Sequence, residues 1–300
     1  MNGACLIRTG MEQQDLGQPD GIDVTIAVPA DARYHRKHRS EATLAVADLR
    51  QSLSLSWFWM ALGWNDILHR YRGSMLGPFW LTITAAVFIA GLGPLYARLF
   101  SLDLAGYLPF MALGVTTWQF ITGAINDSCS TFIASGHLMK QVRLPRLVLL
   151  FRVIWRNVIA FLHNAPIYVV IFLVFGLPLD WHLLAVVPGF ILVCLNLTWM
   201  GLAVAILCAR FRDAPPIIAA VLQIGFFVTP VMWNYKVQHV DPLIVMLNPF
   251  AAIIELVRAP LMGEAISPAL VLSAVVCLVV GSAFAAVLFI RFRRQIVFWV

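Results

Sequence analysis

The chain has 300 residues, of which 61% are hydrophobic and only 12% are charged. Soluble domains carry about 25% charged residues, so this composition excludes an ordinary soluble protein and favours one that lies in a membrane. The net charge of +6 is compatible with nucleic-acid binding. However, the basic residues lie beside apolar segments, where they mark the cytoplasmic ends of membrane spans. We therefore expect an all-α integral membrane protein that contacts membrane lipids and no nucleic acid.

The N-terminal region divides into two parts. Residues 1–52 mix Gly, Pro, Asp, Gln and Arg without periodicity, which predicts a disordered cytoplasmic tail. His35 and His38 lie in this tail without cysteine or carboxylate support, so we expect no metal site. Residues 53–77 are predicted to hold an amphipathic helix on the membrane surface, because apolar residues recur every three or four positions. These apolar residues are Trp57, Met60, Ala61, Trp64, Leu68 and Tyr71.

Residues 78–300 contain six apolar segments. Each is close to the roughly 20 residues that a helix needs to cross a membrane. Helices are expected because open strands would leave backbone groups unpaired in lipid. A further stretch, 243–262, is interrupted by prolines and predicts re-entrant or interfacial helices between spans five and six. The predicted spans are about 79–99, 107–133, 153–176, 184–208, 216–235 and 269–290.

The distribution of basic residues predicts the orientation of these spans. With the N-terminus inside, only Arg98, Lys236 and Arg258 among the flanking basic residues face outward. The reverse orientation would place most of them outside, against the positive-inside rule. We therefore expect both termini in the cytoplasm. The flanking basic residues on that side are Arg70, Arg72, Lys140, Arg143, Arg146, Arg152, Arg210, Arg212, Arg291, Arg293 and Arg294.

The chain lacks the motifs of several common enzymes. A P-loop needs Gly immediately before its Lys, whereas Lys37, Lys140 and Lys236 follow Arg, Met and Tyr. No G-x-S-x-G or H-E-x-x-H motif and no paired-carboxylate cluster occurs either. We expect no enzymatic activity, no metal and no ATP site in this chain. A proton-driven carrier is weakly supported, because Asp127 is the main carboxylate within the spans.

Two sets of residues in the spans leave alternatives open. Polar side chains at membrane depth either hydrogen-bond between helices or face a wet cavity. Aromatic side chains near span ends either form an interfacial belt or line a conduit in which their faces stack on sugars. The polar set is Asn126, Asp127, Arg156, Asn157, His163, Asn164, Asn196 and Gln223. The aromatic set is Phe79, Trp80, Phe88, Tyr96, Phe226, Phe227, Trp233 and Tyr235.

A short basic segment with a proline, 137–152, separates the second and third predicted spans. Such a segment must lie in water, and the charge distribution places it in the cytoplasm. We interpret 137–146 as a docking element for a cytoplasmic motor, while 147–152 begins the third span. The docking residues are His137, Leu138, Met139, Lys140, Gln141, Val142, Arg143, Leu144, Pro145 and Arg146.

Three sets of motifs carry a resemblance to a known family. Arg70–Trp80 resembles the start of the first span in membrane subunits of ABC-type polysaccharide exporters. These are the O-antigen, capsule and teichoic-acid permeases of the type-2 exporter superfamily. Leu138–Arg146 resembles the basic, proline-containing segment between their second and third spans. Thr229–Trp233, Leu247–Pro249 and Ile254–Arg258 are similar to their signature across the fifth span and the external loop.

This resemblance implies a homodimer that binds two copies of a separate ABC nucleotide-binding subunit, which would bind ATP and Mg. Residues 137–146 would dock on that subunit, and a lipid-linked polysaccharide would cross the bacterial inner membrane through a conduit between protomers. Arg70, Arg72 and Arg98 would be candidates to contact its phosphates.

The same resemblance assigns gates to the two ends of the conduit. The amphipathic helix would control the cytoplasmic entrance, and 243–262 the external exit. A type-2 permease for a small molecule such as a drug or lipid is the alternative. A membrane-embedded enzyme acting on lipid carriers is disfavoured, because no carboxylate or histidine cluster is present. The entrance residues are Trp57, Trp64, Arg70, Tyr71 and Arg72, and the external-gate residues are Asn248, Pro249, Glu255 and Arg258.

Overall fold

The computed structural model describes residues 40–77, 79–142, 144–178, 180–235 and 242–300, which form helices and connecting turns without any strand. The first seven helices are α1 (Glu41–Ser54), α2 (Ser56–Arg70), α3 (Phe79–Leu99), α4 (Leu104–Cys129), α5 (Thr131–Ala134), α6 (Gly136–Gln141) and α7 (Arg146–Leu162). The next are α8 (Ala165–Phe175), a 3₁₀ helix (Trp181–Ala185), α9 (Val186–Arg210), α10 (Ala214–Val228), α11 (Pro242–Leu247), α12 (Pro249–Leu261), α13 (Pro268–Phe292) and α14 (Ile296–Trp299).

Five helical segments of the described chain are long and apolar enough to cross a membrane. They are α3, α4, α7 with α8, the 3₁₀ helix with α9, and α13. The chain is therefore a multi-pass membrane protein, as its composition predicts. The first and last predicted spans agree with α3 and α13 to within two residues. The third predicted span, with residues 147–152 at its start, corresponds to α7 and α8, which begin at Arg146.

The fifth predicted span is only partly helical. α10 has 15 residues, which is about 22 Å at the rise of an α-helix and short of a hydrocarbon layer about 30 Å thick. Thr229 is extended, with φ −84° and ψ 141°, because the following Pro230 disfavours the helical conformation. The prediction of a helix through residue 235 is therefore wrong. The predicted helix pair at 243–262 corresponds to α11 and α12, whose re-entrant placement remains a prediction.

The N-terminal boundaries also differ from those expected. Residues 41–52, predicted to be disordered, form most of α1, so that prediction is wrong for this part of the tail. Ser40 caps the helix by accepting a hydrogen bond from the Thr43 amide at 3.2 Å. The amphipathic helix ends at Arg70 instead of 77, and the left-handed Gly73 and Gly77 occupy the turns that follow. The earlier part of the predicted tail, 1–39, lies outside the described residues.

The bundle is organised around α4. In its membrane-length window 78% of the residues are buried, against 22% for α3 and for α13. α4 packs against α3, α7, α9, α10 and α12. Residues 251–261 of α12 are also fully enclosed. The functional candidates thus lie at the two ends of a helix that the others surround.

Candidate functional site

The predicted docking segment is a surface feature. Its first part forms α6, a six-residue helix, and His137, Lys140, Gln141 and Val142 are exposed. The Lys140 Nζ donates a hydrogen bond to the Val300 carbonyl oxygen. Pro145 is buried at the N-cap of α7, so the second part of the segment faces the bundle. Arg143 lies outside the described residues.

Asp48 fixes the end of this segment to its surroundings. Its carboxylate accepts hydrogen bonds from the backbone amides of Arg146 and Leu147, both at 3.2 Å. The carboxylate therefore caps the N-terminus of α7, where the helix dipole favours a negative charge. Arg293 at the end of α13 donates to the same carboxylate at 3.1 Å. A groove of about 350 Å³ runs between α1 and the docking segment at this point.

A second ionic cluster joins the entrance helix to the core. Asp66 of α2 accepts hydrogen bonds from Arg152, at 2.7 Å from its Nε, and from Arg156 at 3.1 Å. Arg156 also donates to Asp127 of α4 at 2.7 Å. The Asn157 amide donates to the same carboxylate at 3.0 Å. Of the polar residues predicted at membrane depth, Asp127, Arg156 and Asn157 thus hydrogen-bond between helices.

The entrance helix contacts the bundle through a mixed face, on which Gly63 and Ile67 are buried. Gly63 is buried against α7, and a Cβ there would lie 3.1 Å from the Arg152 carbonyl oxygen, so a larger residue would require the two helices to move slightly apart. Trp57 and Trp64 are 68% and 51% exposed. In a membrane this places the indoles among lipid, as expected for an interfacial helix.

Tyr71 and the two arginines beside it lie at the C-terminal end of α2. Arg70 and Arg72 are exposed, and Arg70 approaches Asp127 at 3.5 Å. Partial burial raises the pKa of the Tyr71 phenol, Arg70 opposes that rise, and Asp127 adds to it. The phenol therefore stays protonated at neutral pH and can donate a hydrogen bond.

The predicted conduit aromatics fall into two separate sets on one chain. Phe79, Trp80 and Phe88 are exposed on α3, which packs on α4 and α8. Phe227 is exposed on α10, which packs on α4 and α9. No ring contact joins the two sets within the described residues. A single chain thus does not bring these aromatics together.

The remaining members of these sets point inward or lie near the core. The Phe226 ring packs 6.0 Å from Trp118. Tyr96 packs against the main apolar core. The Trp233 indole donates to the Phe227 carbonyl oxygen at 3.0 Å. Tyr235, half-buried, follows that turn and is the last described residue before α11.

The predicted external-gate residues converge on the turn after α10. Arg258 is 1% exposed and donates to the Pro230 carbonyl oxygen at 2.8 Å. Its guanidinium lies 3.7 Å from the centre of the Phe110 ring and pairs with Glu255. Non-helical backbone at membrane depth is tolerated only where the protein satisfies its polar groups. Arg258 therefore donates to a buried carbonyl that has no helical partner, because α10 ends before Pro230.

Two further residues complete this arrangement. The Tyr107 hydroxyl donates to the Met232 carbonyl oxygen at 2.7 Å. The Asn248 side chain caps α12, accepting from the Phe250 amide at 3.0 Å, and it donates to Thr229 at 3.0 Å. Pro249 occupies the first turn of α12, where its missing N–H costs nothing. The motifs of residues 229–233, 247–249 and 254–258 are thus one packed unit.

Sequence reasoning missed several residues of these clusters. Asp48 was not recognised because residues 1–52 were predicted to be disordered. The spacing of Ala45, Asp48 and Ser52, which share one helical face and are all buried, is the signal that could have found it. Asp66 was not named as a site residue. Gly114 was not singled out, yet a Cβ there would lie 2.3 Å from the Val231 carbonyl oxygen. Whether a glycine or a carboxylate contacts another helix cannot be predicted from the residues next to it in the sequence.

These features define a multi-pass helical permease-like bundle, with an exposed basic helix on its surface and a proline-broken, internally hydrogen-bonded hairpin. The chain belongs to the ABC-2 type transporter family, whose match covers residues 58–262. It is 25% identical to the O-antigen export system permease protein RfbA of Myxococcus xanthus over 197 residues, which cover 63% of this chain and 74% of that protein. It is 24% identical to the protein of the same name from Klebsiella pneumoniae, with the same coverage.

Proposed function

We propose that this chain is the permease subunit of an ATP-driven ABC exporter for a lipid-linked surface polysaccharide of O-antigen or capsule type. The observation that carries the proposal is its membership of the ABC-2 type transporter family, together with relatives named as O-antigen export permeases. Export would run from the cytoplasm across the bacterial inner membrane. Two copies of a separate nucleotide-binding subunit would bind ATP and Mg, and no observation favours a small-molecule substrate.

The proposed docking segment is connected to the entrance helix through α7. The segment ends at Arg146, the first residue of α7, and the same helix carries Arg152 and Arg156, which hold α2 through Asp66. α7 has 17 residues, about 25 Å of helix. A displacement of α6 by a nucleotide-binding subunit would therefore reach α2 through one rigid element. We infer that this is how ATP hydrolysis would open the cytoplasmic entrance.

The proposed conduit would form between two copies of the chain. The exposed aromatics of α3 and α10 support this proposal, because one chain leaves them on its surface. Arg70 and Arg72 would meet the phosphates of the lipid carrier at the entrance, since guanidinium groups suit oxyanions. The packed unit around Arg258 would act as the external gate.

The docking proposal is tested by reversing the charge of the exposed part of α6. In a His137→Glu, Lys140→Glu double variant we expect the nucleotide-binding subunit to be lost from the purified complex and export to fall at least ten-fold. Both side chains are exposed, and the hydrogen bond that Lys140 loses to Val300 lies on the surface, so insertion and folding of the permease should change little. The measurements are co-purification of the two subunits and the amount of polysaccharide at the cell surface.

Arg98→Glu is the matched control for this experiment. It reverses one positive charge, as Lys140→Glu does, at an exposed arginine in the last turn of α3, on the predicted opposite side of the membrane. It should leave subunit association intact. Normal association and export in the double variant would show that α6 is not the docking element.

A further inference from the structure

A cavity of about 370 Å³ lies beside the ionic cluster, between α3, α4, α7 and the end of α2. Its volume falls in the range of about 300–1,000 Å³ that is usual for ligand pockets. The residues from α4 are spaced three and four positions apart, so they share one helical face. The polar residues of the lining include Arg70, Gln119, Thr122, Asn126, Asn157 and Asn164.

Several amide groups of this lining have no protein partner. The side chains of Gln119 and Asn126 make no hydrogen bond within the described residues. Asn164 is only 4% exposed, and its amide oxygen is buried without a partner. Gln119 is half-buried and Asn126 is exposed, so their amides are open to a ligand. The buried Asn164 oxygen is costly unless something polar satisfies it. Amides both donate and accept hydrogen bonds, which suits the hydroxyl groups of a sugar.

The charge beside the cavity suits an anion. Arg70 and Asp127 line the cavity, and the Asp127 carboxylate already pairs with Arg156 at 2.7 Å. The whole ionic cluster has three guanidiniums for two carboxylates, so one positive charge is left over. Arg70 is the least committed of the three. Its side chain is 47% exposed and touches Asp127 only at 3.5 Å, so most of its N–H donors remain available to a phosphate.

We propose that this cavity binds a sugar phosphate, the headgroup of the lipid-linked substrate, with the sugar among the amides and the phosphate on Arg70. The inference rests on the proposed function and assigns the substrate headgroup to a site within one chain. Gly123 contributes to the shape of this site, because a Cβ there would lie 2.8 Å from Asn157 Oδ1.

The test uses the full-length protein in nanodiscs of phosphatidylethanolamine and phosphatidylglycerol. Three probes are titrated: a polyprenyl pyrophosphate bearing one hexose, the same lipid without the sugar, and hexose 1-phosphate. We expect the glycosylated lipid to bind more tightly than the bare lipid. Gln119→Leu and Asn126→Leu should each reduce that preference about five-fold, the value of one hydrogen bond. Arg70→Gln should weaken both lipids about ten-fold and leave their ratio unchanged.

Gln223→Leu is the matched control, because it removes an exposed amide from α10, outside the cavity. It should leave the preference for the sugar unchanged. Asn126→Asp is a second cavity variant that keeps the side-chain shape and adds a negative charge. It should weaken the binding of every phosphate-bearing probe. If a leucine variant fails to insert into the membrane, this variant still tests whether the cavity binds the headgroup.

The outcomes separate this inference from the proposed function. If the wild-type protein binds neither lipid, the proposed function fails. If it binds both and the cavity variants keep the wild-type preference, the cavity assignment is overturned while the function stands. Binding of hexose 1-phosphate with the same sensitivity to Gln119→Leu would support the cavity and assign its ligand to a soluble source.

Discussion

At the scale of single residues, the chain places its few membrane-depth charges where each has a partner. Arg156 bridges Asp66 and Asp127, with separations of 3.1 and 2.7 Å. The side chains involved are no more than one-quarter exposed, except that of Arg70. Removing one member of a buried ion pair leaves the other charge buried without a counter-ion. The free energy lost is larger than the net contribution of the intact pair to stability. The cluster is therefore sensitive to single substitutions.

Asp66→Asn should detach the entrance helix from α7. Arg152 and Arg156 both lose an anionic partner, and we expect a loss of about 2 kcal/mol in the free energy of unfolding. Thermal unfolding in nanodiscs measures the stability, and hydrogen exchange of α2 reports the detachment. Asp213→Asn is the control, since Asp213 is exposed and its side chain makes no cap hydrogen bond. Unchanged exchange in α2 would contradict the role of Asp66.

Gly114→Ala should disrupt the turn after α10. The added Cβ would lie 2.3 Å from the Val231 carbonyl oxygen and 3.2 Å from Arg258, so we expect a loss of about 3 kcal/mol from overpacking. Gly91→Ala is the control, because nothing lies within 4 Å of a Cβ at that position. It should be neutral or slightly stabilising. Equal melting temperatures for the two variants would refute the close contact.

At the scale of elements, α1 belongs to the bundle and not to a tail. Its buried Asp48 caps α7 and pairs with Arg293, so one carboxylate holds three helices at the docking segment. The local sequence could not reveal this, because the partners of Asp48 lie 98 and 245 residues away. Spans α3 and α13 were predictable, since length and hydropathy alone determine them. α10 was mispredicted, because hydropathy does not register the effect of Pro230 on Thr229.

Asp48→Ala should release α1 from the bundle. The change removes a carboxylate that is 1% exposed and leaves Arg293 and two helix N-terminal amides without a partner. We expect a loss of about 3 kcal/mol and rapid protease cleavage within α1. Glu41→Ala is the control, because Glu41 pairs with Arg294, which is 69% exposed. Such surface pairs contribute about 0–1 kcal/mol. Protection of α1 in the Asp48 variant would show that apolar contacts hold the helix.

At the scale of the whole molecule, the sequence predicted the class of protein better than its sites. Composition and periodicity identified a helical membrane protein. The first part of the basic, proline-containing segment is exposed in α6, as expected for a segment that lies in water, whereas Pro145 is buried. The polar residues at membrane depth were seen, but which of them pair and which line a cavity depends on helix packing. Asp127 and Asn157 line the cavity and hydrogen-bond to each other, whereas Asn126 lines it without a hydrogen bond, as does Gln119, which was not in the predicted set. That division becomes visible only when α4 and α7 are placed side by side.

The dependence of the Pro230 turn on Arg258 also has a consequence for biosynthesis. The guanidinium that serves the Pro230 carbonyl lies 28 residues further along the chain. When α10 leaves the ribosome, its C-terminal turn has not yet met this donor. A helix of 15 residues is short for a membrane span, and unpaired carbonyls at its end oppose its insertion into lipid by itself. We therefore expect α10 to remain at the translocation channel until α12 has been synthesised. The two helices would then enter the bilayer together as one hairpin.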